Sequence, residues 1–160
     1  MTYNGMHPGI EPAIRRLLHV FWRFSRGMTL GVRGVVVKED GTVFLVKHSY
    51  VTGWHLPGGG VEVGESVVEA LARELAEEGN IALADAPQLH GVFHNATDSP
   101  RDHVVVFVVR GFRQDALPLP GREIIEHGFF AVDALPPEAT PGTRRRIAEV
   151  FCGTPIAARW

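Results

Sequence analysis

The segment from Gly58 to Ile81 constrains this chain most. It opens with three consecutive glycines, Gly58-Gly59-Gly60, and runs into Glu65 to Glu78, a stretch rich in Ala, Leu and Glu with no Gly or Pro. Such a stretch reads as a helix. Glu74, Glu77 and Glu78 stand at i, i+3 and i+4. At about 100° per residue they fall within about one quadrant of its surface. Three carboxylates so placed repel one another and cost stability unless something neutralises them. A solvated acidic face is the ordinary explanation of such a run. Two features favour another. Val67, Leu71 and Leu75 project along nearly the same side as Glu74 and Glu78. The acids therefore border a core-facing stripe, where an unpaired carboxylate is expensive. The glycine loop also lets bare backbone approach a ligand closely. Hard oxygen donors beside open backbone suit Mg²⁺ or Mn²⁺, which shares its remaining positions with water and substrate phosphates.

The rest of the chain supplies strands and one more helix. Leu30 to Val37 reads as a strand, Glu39-Asp40-Gly41 as a turn and Thr42 to His48 as a second strand, so the pair is expected to form a hairpin. Leu89 to His94, His103 to Phe112 and Ile124 to Val132 read as further strands. The Val-rich second of these is expected to be central and buried on both faces. Pro141 to Phe151 reads as a last helix with Thr140 as N-cap. With 160 residues, no repeats and no low-complexity linker, the expectation is one mixed α/β domain. Such a domain buries roughly 70% of its unfolded surface and folds without staples.

Charge and cysteine usage narrow the function. The formal net charge is −2. That balance argues against a stable nucleic-acid complex, which needs a basic excess, and is compatible with a small phosphate-bearing substrate. Cys152 is the sole cysteine, so a disulfide within the chain is excluded and a reducing compartment is expected. The first residues lack a basic start followed by an apolar run, and no apolar stretch reaches eighteen residues. The expected location is cytoplasmic. Ile10, Ile14, Leu17, Leu18, Phe21 and Trp22 recur at helical spacing with Arg15, Arg16, Arg23 and Arg26 between them. This basic amphipathic segment is expected to cover a core edge or a homodimer interface, ahead of lying on a membrane.

From Gly59 to Ile81 the sequence resembles the Nudix box, G-x5-E-x7-R-E-U-x-E-E-x-G-U, where U is a bulky aliphatic residue. It reads Gly59, Glu65, Arg73-Glu74-Leu75, Glu77-Glu78 and Ile81 at the required spacings. The lead-in Trp54-x-Leu56-Pro57-Gly58-Gly59 is also similar to that of the family. One position departs: Asn80 stands where the family has glycine, and Gly79 precedes it. Either Gly79 ends the helix one residue early or Asn80 itself takes the left-handed conformation. The resemblance runs from about Leu30 to Phe151. It implies a Nudix-type α/β/α sandwich with a mixed central sheet over residues 30–160, with residues 1–29 as a helical extension.

The resemblance also implies an activity: Mg²⁺-dependent hydrolysis of a diphosphate bond in a nucleoside diphosphate-linked small molecule. Nucleotide sugars, ADP-ribose and (d)NTPs all fit. By the same likeness Glu74, Glu77 and Glu78 are expected to ligate metal, with the backbone carbonyl of Gly58 as a further ligand. Glu77 and Glu78 serve the chemistry, Arg73 pairs with a box carboxylate and orients it, and Glu65 supports the joint between loop and helix. The general base is a box glutamate or an acid from a later loop, where Glu123 is favoured over Glu126. Arg33, Lys47, Arg101 and the loop residues Gly59 and Gly60 are candidates for substrate phosphates. Tyr50 or Trp54 could stack on a base, although Trp54 is expected to pack beneath the glycine loop. His90, His94 and His103 have no zinc-like spacing and are expected to be structural. A Nudix fold that only binds ligand, or a structural domain assembling through the N-terminal helix, stands as the alternative to an enzyme.

Overall fold

The valine-rich strands are buried on both faces, and that sets the architecture. The computed structural model describes residues 18, 21, 27–97, 99–119 and 121–160. In chain order the elements are β1 (Thr29–Val36), β2 (Val43–His48), β3 (Trp54–His55), α1 (Val67–Gly79), β4 (Ala82–Leu83), β5 (Gln88–His94), β6 (Asp102–Val109), β7 (Phe112–Arg113), β8 (Ile124–Phe130) and α2 (Pro141–Phe151). Successive residues of a strand point to opposite faces. Val104, Val106 and Val108 of β6 accordingly join one apolar cluster, with Val35, Leu45, Phe93 and Ile147 of α2. Val105, Phe107 and Val109 join the other, with Val32, Phe44 and Leu71 and Leu75 of α1. One helix thus covers each side of the strands, giving a mixed α/β sandwich.

β6 is central in its sheet, as its composition implies. It pairs parallel with β1 and antiparallel with β5. A second sheet runs β3-β2-β8, all antiparallel, and β4 pairs with β7. The expected β1–β2 hairpin is therefore corrected. Its turn forms, with Lys38 N donating to Thr42 O at 3.0 Å and a bridge between Val37 and Val43. Beyond the turn the strands part, because β1 takes its ladder from β6 and β2 takes its ladders from β3 and β8.

Local chemistry fixes both helix ends. Ser66 caps α1: its hydroxyl accepts from Glu69 N, while Glu69 Oε2 accepts from Ser66 N at 2.8 Å. This reciprocal pair is the capping box, and losing its serine costs about 1 kcal/mol. Asn80 ends the helix with φ 51° and ψ 34°. Asn80, not Gly79, therefore supplies the left-handed residue, which a short polar side chain tolerates. Gly79 instead makes room for the core, since a Cβ there would lie 2.9 Å from Phe44. Thr140 caps α2 and Pro141 opens it, as expected.

The amphipathic segment Ile10 to Arg26, and with it the homodimer and membrane expectations, lies outside the described residues apart from Leu18 and Phe21. Among the described residues no helix is long and apolar enough to cross a membrane.

Candidate active site

The glycine loop folds back between β1 and the carboxylate face of α1. Val32 N donates to Gly59 O at 2.8 Å and Gly34 N to Pro57 O at 2.9 Å, so the loop is laced to β1. Gly58 has φ +136° and is pressed against the Val32 carbonyl, which leaves no room for a side chain. At Gly59 a Cβ would run into the carboxylate of Glu74, with Cδ at 2.6 Å. These glycines let the helix acids lie directly against loop backbone.

Glu78 is the buried member of the acidic group. It is 6% exposed, and its Oε2 accepts from Gly58 N at 2.7 Å. Burial pushes its carboxyl up to about 7, against the Gly58 hydrogen bond and the nearby Arg33 charge, both of which lower it. Its other oxygen lies 3.5 Å from His48 Nε2, too far for a good hydrogen bond. His48 is buried too; burial first, then the Arg33 charge, holds its imidazole down at about 4. Each group of this pair is thus biased toward its neutral form.

Arg73 organises the neighbouring acids. Its Nε and Nη2 reach Glu65 Oε1 and Oε2 at 2.9 and 3.1 Å, and its Nη1 reaches Glu74 Oε1 at 2.7 Å. Nη2 also donates to Gly60 O at 3.0 Å. Such a forked pairing fixes orientation as well as charge. The Arg73 bonds, above all, lower the Glu65 carboxyl from its ordinary value. Glu65 therefore joins loop to helix, and Arg73 holds a box carboxylate. Glu77 is a different case: its side chain is 62% exposed and lies 3.5 Å from Arg73 Nη1.

Glu74, Glu78 and His48 border a cavity of about 1060 Å³. Its wall includes Arg33, His48, Tyr50, Gly58, Gly59, Gly60, Glu74, Glu78 and Glu123. Arg33 donates through Nη1 to the carbonyls of Leu56 at 3.0 Å and Gly58 at 2.5 Å. The Gly58 carbonyl is thus engaged by a guanidinium from within the chain. Glu123 is held by the Tyr50 hydroxyl, which donates to its Oε1 at 3.3 Å.

Other candidates lie off this wall. Glu126 pairs instead with Lys47, at 3.6 Å. Lys47 reaches Glu138 at 2.8 Å as well and does not line the cavity. Neither does Arg101 or Glu77. Trp54 is 7% exposed and packs edge-on against Phe130, so it offers no ring for stacking. His90 belongs to a buried cluster with Glu149. His94 and His103 stack on each other.

Two features escaped the sequence. His48 ends β2 with nothing in its local pattern to tie it to Glu78. Trp160 and Arg145 form another part of the cavity wall, and the tail that brings Trp160 there has no apolar period.

The donor set fits a hard divalent cation. Glu74 and Glu78 stand one turn apart on the wall, and Glu78 is a buried carboxylate whose desolvation a cation would offset. Mg²⁺ needs only one or two carboxylates, with waters and phosphates completing its shell. Among the described residues no three His, Cys, Asp or Glu side chains are grouped so as to hold a metal ion.

A family model described as NUDIX domain matches residues 27–150. The chain is 34% identical over 107 residues to the ADP-ribose pyrophosphatase of Methanocaldococcus jannaschii, covering 63% of this chain and 61% of that protein. It is 30% identical over 119 residues to the putative 8-oxo-dGTP diphosphatase of Bacillus subtilis, covering 74% of this chain and 77% of that one. The fold is similar to the crystal structure of the MutT NUDIX hydrolase from Burkholderia pseudomallei, with a TM-score of 0.66 and 29% identity over 77% of this chain and 98% of that chain. Box, fold and relatives agree, and the chain belongs to the NUDIX family as a Nudix hydrolase.

Proposed function

We propose that this chain hydrolyses a diphosphate bond in a small nucleoside diphosphate-linked substrate, using Mg²⁺, for which Mn²⁺ can substitute. One observation carries the reading: Glu74 and Glu78 share the wall of a cavity large enough for a nucleotide, with the glycine loop laid against both. Its relatives are named for different nucleotides, so the bond broken is the common element.

Glu74 and Glu78 would hold the metal, with Glu77 on the adjoining surface and the Gly58 carbonyl once Arg33 yields it. Bound there, the ion supplies charge neutralisation at the phosphate oxygens and a more acidic water. The remaining work falls to the chain. Arg73, clamped by Glu65, keeps Glu74 aimed at the cavity. Gly58 N fixes Glu78. The Arg33 guanidinium gives the wall a positive charge that attracts a polyanionic substrate. Gly60, with open space beside its backbone, lets the diphosphate approach the loop, while Gly59 leaves room for the Glu74 carboxylate. Glu123, oriented by Tyr50, takes the proton of the attacking water. Lys47, bound to Glu138, lies off this wall.

A substrate panel tests the reading: nucleotide sugars, ADP-ribose, dinucleoside polyphosphates and (d)NTPs, each with Mg²⁺, Mn²⁺ or chelator. Metal-dependent release of a nucleoside monophosphate is the expected result. No turnover on any member with either metal would count against the reading.

A further inference from the structure

Two residues of the cavity wall, Glu78 and Glu123, stand on separate elements. Glu78 belongs to the last turn of α1, and Glu123 to the connection between β7 and β8. A base works only within hydrogen-bond reach of the water it deprotonates. The spacing between helix end and connection therefore has to be fixed.

A joint between the two elements does this. Helix ends leave carbonyls that need partners. At the end of α1, Asn80 N donates to Ala76 O and Ile81 N to Leu75 O, each at 3.0 Å. The Gly79 carbonyl is taken by a side chain from the other element: Gln114 Nε2 donates to it at 2.6 Å. Gln114 directly follows β7, and β7 pairs with β4 through only two residue pairs, Ala82 with Arg113 and Leu83 with Phe112. The glutamine thus closes a short ladder onto the helix. Asn80 Nδ2 lies 3.5 Å from Ala116 O, a long second contact across the same joint that a glycine at position 80 would lack.

Farther along the connection, His127 Nε2 meets Pro118 O at 2.6 Å, and Gly121 N donates to Ile124 O at 2.8 Å. Ser49 N donates to Glu123 O at 2.8 Å. The Tyr50 bond to the Glu123 carboxylate, at 3.3 Å, is longer than a normal O–H···O bond. The hydroxyl therefore aims Glu123 only while the backbone keeps it near.

We infer that Gln114 is a positioning residue for the reaction: by clasping the start of the β7–β8 connection to the Gly79 carbonyl, it fixes Glu123 relative to the acids of α1. This rests on reading Glu123 as the base. A glutamine that only capped the helix would act through stability and would be indifferent to what stands at position 123.

Steady-state rates of the wild type, Gln114→Met, Glu123→Gln and the double variant form a double-mutant cycle, run with Mg²⁺ and the nucleotide of the panel turned over fastest. Methionine is similar to glutamine in length and lacks the donor. Gln114→Met should lower kcat about ten-fold, inside the roughly 100-fold that a 1 Å misplacement can cost, and leave KM within about two-fold. In the Glu123→Gln background the same change should cost less than about two-fold, because the group being positioned is gone. Gln114→Lys restores a donor of similar reach and should recover at least about half of the wild-type kcat. Hydrogen exchange supplies a readout that needs no turnover: the Ser49 amide, bound to Glu123 O, should exchange at least about ten-fold faster in Gln114→Met. Equal losses in the two backgrounds, undiminished kcat in Gln114→Met, or unchanged Ser49 exchange would overturn the inference and leave the hydrolytic reading intact. A wild type without turnover would overturn the hydrolytic reading, and Ser49 exchange would still decide whether Gln114 holds Glu123 in place.

Discussion

Gly58 N donates to Glu78 Oε2 at 2.7 Å, which ties the glycine loop to the last turn of α1 through the most buried acid of the site. The bond also holds a carboxylate where solvent cannot screen it. That cost is expected to be measurable. The Glu78 carboxyl titrates at about 7 in the folded chain, from an ordinary value of 4.5. Between those values the folded chain keeps a proton that the unfolded chain has lost, so this group's contribution to stability falls as pH rises from about 4.5 to about 7. His48, held at about 4 instead of 6.5, acts oppositely: its contribution rises with pH across that window. Glu78→Gln should therefore stabilise the metal-free protein at pH 8 by about 1–3 kcal/mol and change little at pH 4.5. Denaturant unfolding at the two pH values reads the difference; equal effects at both would contradict it.

The same proton opposes metal. A protonated Glu78 is a poor ligand, so Mg²⁺ binding below about pH 7 must release a proton and weakens as pH falls. The thermal shift produced by a fixed Mg²⁺ concentration should be large at pH 8 and shrink steadily toward pH 5.5. A shift independent of pH would separate Glu78 from the metal.

Gly59→Ala is expected to disable the site while sparing the fold. The added methyl meets the Glu74 carboxylate rather than the core, so Glu74 must swing away from the loop. Mg²⁺-dependent turnover should drop at least about ten-fold, with a small change in Tm. Full activity would mean that Glu74 acts from another position.

Arg73→Lys replaces a fork with a single point of charge. Lysine cannot hold Glu65, Glu74 and the Gly60 carbonyl together, as Arg73 does. Turnover should fall about 10- to 100-fold. Glu77→Gln should cost a comparable amount and less than Glu78→Gln, because Glu77 stands outside the cavity wall. Steady-state rates at saturating Mg²⁺ rank the three variants.

Much of this site was legible because it is local. The box carboxylates, Arg73 and the glycine loop lie within one loop-helix unit, and helical period alone puts Glu74 and Glu78 on the core-bordering side. Both helices were legible from period and caps, although Ser66 is a better start signal than Glu65, because Glu69 follows it at the capping-box spacing. What escaped depends on contacts far apart in sequence. Neighbouring residues of a turn suggest a hairpin, yet β1 found a better partner in β6, whose apolar side chains serve both faces. Period two on β2 decides that His48 enters the cavity wall while Lys47 turns to Glu126 and Glu138. Which of the two faces the site is set by β8 and β3, not by β2 itself. Trp160 is placed by β5 and Gly142, and no pattern around residue 160 announces it.

The most direct measurement is the rate of nucleoside monophosphate release from a diphosphate-linked nucleotide with Mg²⁺, compared between wild type and Glu78→Gln, with chelator as the control. The expected result is turnover by the wild type, none with chelator, and a loss of at least about 100-fold in a Glu78→Gln protein that remains folded. Undiminished turnover in Glu78→Gln, or in chelator, would contradict the metal-dependent mechanism assigned to this helix.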